Sequence, residues 1–252
     1  MIGKSMQLPL VSDLIEGNLS EGIYVIAGPP GIGKSVFVKR LIANSIADSY
    51  ILYVSVDSSI KDMLEFLEKM NISKYKDHIQ FLDAFSTTFT GIKQDIQYEK
   101  INLESASDSL FTIYSKLSQM DGNKILVIDS ITEMLIGTDP DTSISFIKGL
   151  KQITESTHTL GVITIHTGPD SLKDILWILE YLSDGYIELA FEPNFEAVGI
   201  LLRRIRIKKM SNKFHDSNWY PYKIVKDYGL QFMSPQELKA IADVVTGKKS
   251  SQ

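Results

Sequence analysis

The chain has 252 residues, 44% of them hydrophobic and 23% charged, which is enough apolar material for one large buried core. The absence of cysteine excludes disulfides, thiolate nucleophiles and cysteine-held zinc, and the four histidines (His78, His158, His166, His215) show no metal-ligand spacing. A net charge of -5 gives no bulk electrostatic reason to coat nucleic acid, and the start of the chain lacks the apolar run of a signal peptide or membrane span, so a soluble, cytoplasmic protein without a membrane span is expected.

In chain order, 22–27 is a short apolar, β-branched run that predicts a buried strand. A glycine-rich loop follows, and 36–47 then has apolar residues at helical spacing. Residues 50–56 (YILYVSV) predict a second buried strand, and 59–70 (SIKDMLEFLEKM) an amphipathic helix. A third strand is expected at 78–85. The polar, aperiodic stretch 86–104 reads as a long or mobile loop. Residues 105–120 predict a helix capped by Ser105 or Ser107. The most apolar strand, 124–128 (KILVI), ends in Asp129-Ser130. Beyond it come a helix at 141–157, a strand at 161–166 and a helix at 171–182. From Gly185 onward three alternating strands are expected (186–192, 198–210 and 219–225), with a closing helix at 236–245 and a frayed tail.

Strands alternating with helices predict an α/β fold: a mostly parallel central sheet covered on both faces, extended at one edge by antiparallel strands. The expected organisation is a single domain over 1–235, followed by the C-terminal helix and tail over 236–252.

Gly28-Pro29-Pro30-Gly31-Ile32-Gly33-Lys34-Ser35 fits the phosphate-loop pattern G-x-x-x-x-G-K-[ST] at every specified position, between an apolar strand and a helical pattern as that pattern requires. The glycines permit close backbone approach to phosphate oxygens. Successive N–H groups form an anion nest backed by a helix N-terminus. Lys34 supplies charge to the outer phosphates, Ser35 offers a hydroxyl to magnesium, and Val36 completes the nucleotide-binding set. ATP and Mg2+ are the expected cofactors. Asp129, at the carboxyl end of its strand, is the candidate to hold the magnesium-water shell opposite Ser35, the alternative being a cap for a helix starting near Ile131.

Three features together resemble the KaiC/RadA branch of the RecA-like ATPases: GPPGIGKS, the ILVIDSITEM segment, and the C-terminal RRIRIKKMSNKFHDSNWYPYKI. The stretch 182–187 (LSDGYI) is similar to that family's Ala-Asp-Gly-Ile element. The resemblance runs from about Leu14 to Leu230 and implies a RecA-like P-loop fold with homo-oligomeric assemblies, hexameric rings or filaments, holding ATP between subunits. It also implies that Lys209 and His215 contact a neighbouring subunit's nucleotide; the plain alternative is an exposed edge strand with solvated charges.

Two positions depart from the family pattern. Where paired glutamates usually end the second strand, one activating the attacking water, this chain has Asp57, one methylene shorter. Where the family's Lys-Met-Arg strand carries arginine, this chain has Ser211, which cannot neutralise transition-state charge; Arg203, Arg204 and Arg206 are the candidates to compensate. Catalytic roles therefore fall to Lys34 and Asp57, and slow hydrolysis is expected, with ATP acting as an assembly or conformational switch. His166 and Thr167, ending the strand after the Asp129 strand, are candidates to sense the terminal phosphate.

Other residues have plainer readings. Glu133 reads as a helix-surface carboxylate and Asp83 as a cap or turn residue. Trp177, Tyr181, Trp219, Tyr220 and Tyr222 read as core or subunit-interface aromatics rather than a base-stacking platform. Competing functions are a RadA-like DNA-binding recombination ATPase, supported only by the basic stretch 203–213 and the 86–104 loop, and a non-hydrolysing scaffold that captures a protein partner. A small-molecule kinase lacks an arginine-rich lid segment.

Overall fold

The computed structural model describes residues 8–16, 19–85, 98–102, 105–136, 138–168, 170–196, 199–227 and 229–246. The expected loop at 86–104 and the expected frayed tail lie largely outside the described residues, although 99–100 form a short strand.

The elements alternate as anticipated: β1 (Gly22–Gly28), α1 (Lys34–Ser45), β2 (Tyr50–Ser55), α2 (Ile60–Lys69), β3 (Ile79–Asp83), β4 (Glu99–Lys100) and α3 (Ala106–Ser118). They continue with β5 (Lys124–Asp129), α4 (Thr132–Leu135), α5 (Pro140–Ser156), β6 (Thr159–His166), α6 (Lys173–Leu182) and β7 (Gly185–Phe191). The last are α7 (Pro193–Glu196), β8 (Arg203–Met210), β9 (Tyr220–Val225), β10 (Gly229–Phe232) and α8 (Pro235–Thr246). Helix starts follow capping chemistry. Ser59 accepts from Asp62 N–H ahead of α2, Ser105 from Asp108 N–H ahead of α3, and Asp139 from Thr142 N–H with Pro140 in the first turn of α5.

Among the described residues, ten strands join one sheet in the order β10-β9-β8-β7-β1-β6-β5-β2-β3-β4. From β7 to β4 the pairing is parallel, while β8, β9 and β10 add in antiparallel fashion at the other edge. The side-chain period of two divides the core into two layers. On one face Tyr24, Ile26, Tyr53, Val127 and Val162 pack on α1 and α2 through Phe37, Leu41 and Phe66. On the other Ile23, Val25, Leu52, Leu126 and Ile163 pack on α3, α5 and α6 through Ile113, Phe146, Leu150 and Leu179.

Register then fixes what meets at the carboxyl edge. Gly28 of β1 lies beside His166 of β6, and Ser55 of β2 lies between Asp129 of β5 and Asp83 of β3. Alternation along β5 and β6 puts Asp129, Thr164 and His166 on the α1 face, with Tyr53 of β2 on the same face. Among the described residues, no helix is long and apolar enough to cross a membrane.

Candidate functional site

β1 ends at Gly28, and the chain turns through Gly31 (φ 75) and Gly33 (φ 114) before α1 begins at Lys34. Both angles lie in the left-handed region that glycine adopts without a Cβ penalty. At Gly33 a Cβ would also come within 2.8 Å of Ile224 Cδ1. The first amides of a helix have no intrahelical acceptor, so the N-terminus of α1 is left to face an anion. Ser35 and Pro30 are exposed, Pro29 and Val36 half-buried, and Ile32 fully buried.

Lys34 is folded back onto this edge and is only 5% exposed. Its ammonium donates to Gly28 O at 2.8 Å and Pro29 O at 3.1 Å, and lies 2.9 Å from His166 Nδ1. Burial lowers its pKa to about 8, against the carboxylates of Asp129 and Asp57, which raise it. A charged lysine can only donate, so Nδ1 of His166 accepts and Nε2 carries the proton. Nε2 then donates to Asp57 Oδ2 at 3.0 Å. The sequence-predicted residues Lys34, His166 and Asp57 thus form one hydrogen-bonded chain. Thr167 N–H donates to Gly28 O at 3.1 Å, tying the segment after β6 to the loop.

Asp129 is 4% exposed. Thr164 Oγ1 donates to its Oδ1 at 2.8 Å and Tyr53 Oη to its Oδ2 at 3.1 Å. Burial raises the Asp129 carboxyl above its ordinary value, opposed by those two hydrogen bonds. Its backbone carbonyl accepts from Val56 N–H and Asp57 N–H at 3.0 and 3.1 Å, which brings the end of β2 alongside. The capping alternative for Asp129 is not what the geometry shows: Thr132 N–H, at the start of α4, donates to Ser130 Oγ at 3.2 Å. Thr132 Oγ1 in turn accepts from His166 N–H at 2.9 Å, so the short α4 props the end of β6.

Tyr53, Thr164, Ser130 and Thr132 are site residues that the sequence reading passed over. For Tyr53 and Thr164 the signal is a hydroxyl on the sheet face shared with Asp129, in segments otherwise apolar, and it becomes visible only once register is known; Ser130 and Thr132 follow β5 in the turn into α4. Glu133 is exposed on α4, as expected. Asp83 is the last residue of β3 and 3% exposed, a buried strand-end residue rather than a turn.

The basic stretch is distributed differently from its sequence appearance. Arg203 donates to Ile32 O at 3.2 Å, on its own chain's phosphate loop. Arg204 pairs with Glu192 at 2.6 Å and Arg206 with Glu188 at 2.7 Å, and both guanidinium groups lie over Trp219, at 4.3 and 4.6 Å from the ring centre. Lys208 pairs with Glu180 at 2.5 Å. Lys209 donates to Glu180 O and Tyr181 O at 2.9 and 2.7 Å, at the C-terminal end of α6. Burial, with the charge of Lys151, lowers its pKa. Six residues of extended strand, about 20 Å, separate Lys209 from Arg203 along β8. His215 sits in the β8–β9 connection, where Ile15 and His215 form an antiparallel bridge; Asp216 N–H donates to Leu14 O and Glu16 N–H to Phe214 O.

Of the aromatics read as core or interface, Tyr222 is core at 1% exposed, while Trp177 and Tyr181 stack on each other and stand 67% and 69% exposed on α6. Between α6 and the loop, a cleft of about 570 Å³ is walled by Pro29, Thr167, Trp177, Tyr186 and Phe191.

Comparison with known proteins agrees with this architecture. No curated protein matches the chain. Among solved structures, a KaiC-like protein from the hyperthermophilic archaeon Pyrococcus horikoshii OT3 superposes with a TM-score of 0.68, covering 92% of this chain and 98% of that one at 20% identity. That likeness establishes the mostly parallel RecA-like fold with antiparallel edge strands. The model of the KaiC ATPase family matches residues 9–237. With the phosphate loop, the Asp129 strand and the antiparallel edge all inside the matched span, this chain belongs to the KaiC family of RecA-fold, ATP-binding proteins.

Proposed function

We propose that the protein binds Mg-ATP in the loop Gly28, Pro29, Pro30, Gly31, Ile32, Gly33, Lys34 and Ser35, with Val36 beside it, hydrolyses it slowly, and uses nucleotide state as an assembly or conformational switch. The observation that carries the reading is the run from Lys34 through His166 to Asp57 at the mouth of the loop. The cation needed by the outer phosphates and the carboxylate in the position of a general base share one histidine. A polyphosphate competing for Lys34 removes the donor from His166 Nδ1, so occupancy of the loop is felt at Asp57. This gives His166 a sensing role, with Thr167 tied to Gly28 beside it. Asp57 stays the short carboxylate of the sequence reading and is held by His166, which favours slow turnover.

The residues present fit a magnesium ion. Ser35 has an exposed hydroxyl at the start of α1, and each Asp129 oxygen accepts one hydrogen bond, leaving lone pairs for metal-bound water. Bound there, magnesium supplies charge neutralisation at the outer phosphates. In an assembled ring or filament, Lys209 and His215 would meet a neighbour's nucleotide. Support for the trans contact of Lys209 is its separation of about 20 Å along β8 from Arg203, which touches the chain's own loop; it requires Lys209 to exchange the α6 carbonyls for phosphate.

Size-exclusion with light scattering, with and without Mg-ATP and alongside phosphate release, tests the reading. Nucleotide-dependent growth in mass with turnover below about one per minute is expected. Turnover above about ten per second, typical of a well-tuned enzyme, would refute slow hydrolysis, and an unchanged mass would refute the assembly switch.

A further inference from the structure

A phosphate loop works because its N–H groups turn inward, and that geometry obliges its carbonyls to turn outward, where a buried one needs a donor. Ile32 is fully buried, and its carbonyl accepts two hydrogen bonds from the antiparallel edge: Tyr222 Oη at 2.9 Å and Arg203 Nε at 3.2 Å. Arg203 Nη2 also reaches Gly31 O at 3.5 Å. We infer that Arg203 and Tyr222 are positioning residues for nucleotide binding, holding the outer side of the phosphate loop so that its amides stay aimed at the polyphosphate.

The two donors are fixed in place independently of any ligand. Tyr222 is 1% exposed and meets Phe37 of α1 edge-on, with ring centres 5.9 Å apart. Burial raises its pKa, so the hydroxyl keeps the proton it donates. The Arg203 guanidinium lies 5.8 Å from the Phe191 ring centre at the end of β7. Ile224, two residues along β9, closes the space at Gly33 that a side chain there would need. Three residues of β8 and β9, all distant in sequence from the loop, therefore set its shape. A carbonyl oxygen has two lone pairs, so loss of one donor leaves Ile32 O satisfied and loss of both leaves it buried and orphaned. The cost of the two substitutions is for that reason more than the product of their separate costs.

The inference rests on Gly28–Ser35 being the nucleotide site, and the test separates the two claims. ADP binding is titrated calorimetrically on the full chain carrying Tyr222→Phe, Arg203→Met, both together, and Lys34→Ala. Each single variant is expected to weaken binding about threefold and the double variant about thirtyfold or more. Arg203→Lys, which keeps a donor, is expected to restore most of the loss. Melting of each variant is followed in parallel, because a purely structural role lowers the melting temperature without moving ADP affinity; that result overturns the inference. So does a double variant within twofold of the wild type while Lys34→Ala loses binding. Should the double variant not fold, the single variants decide, and unchanged affinity in both overturns the inference. Wild-type affinity in Lys34→Ala instead sinks the reading of the loop itself.

Discussion

The two ends of the sheet spend their charged groups differently. At the carboxyl edge of the parallel strands, charge is held where burial works against it: Lys34 is lowered to about 8 and Asp129 raised, each inside a small hydrogen-bonded group. In the antiparallel extension the cations are settled. Arg204, Arg206 and Lys208 each face a glutamate, and Lys209 faces two carbonyls. Ion pairs at a partly exposed surface contribute little and ask for no ligand, whereas a buried ammonium with a depressed pKa gains from a polyanion. The densest basic stretch in the sequence therefore offers less available charge than its composition suggests, which weakens one of the two supports of the DNA-binding reading; the other, the 86–104 loop, lies largely outside the described residues.

The largest expected effect tests the parallel edge: Lys34→Ala should weaken ADP binding about a hundredfold by calorimetry, since a charge-assisted contact to phosphate is lost. Next in size, and sharper about chemistry, Asp57→Glu should raise phosphate release about tenfold by restoring the missing methylene. Third is pH. A lysine lowered to about 8 is charged below that value and neutral above it, so nucleotide affinity should hold from pH 6 to 7.5 and fall about tenfold between pH 7.5 and 9. A flat profile would show that Lys34 is not the group that titrates. Smallest, Glu188→Gln, which removes the charge paired with Arg206 while keeping an acceptor, should cost about 0.5 kcal/mol or less in denaturant unfolding and leave ADP affinity unchanged. A large change there would break the contrast between the two edges.

Much of this was legible in the sequence for definite reasons. A loop whose glycines, lysine and serine are each constrained by phosphate geometry announces itself in one short segment, and buried strands such as β5 are uninterrupted apolar runs. Ser59 and Ser105 advertise their helices because capping is local. What escaped notice was non-local or short. α4 is a single turn without periodicity, and β10 has four residues after a tight turn. Tyr53 and Thr164 matter only because parallel register aligns them with Asp129, and the contact of Arg203 with Ile32 O spans 171 residues. In the sequence Arg203 is one of three candidates, with Arg204 and Arg206, to supply a compensating charge; in the structure its guanidinium is engaged with the outer side of its own loop.

The zipper between residues 14–16 and 214–216 has a practical bearing. The backbone carrying His215 is braced by residues 14–16, from the opposite end of the polypeptide. Because Leu8, Leu10 and Val11 are buried in the same core layer as Phe37, Leu41 and Ile42 of α1, shortening the protein past residue 16 is expected to loosen that brace and to open the packing under α1 together, so truncation there would strike both ends of the sheet at once.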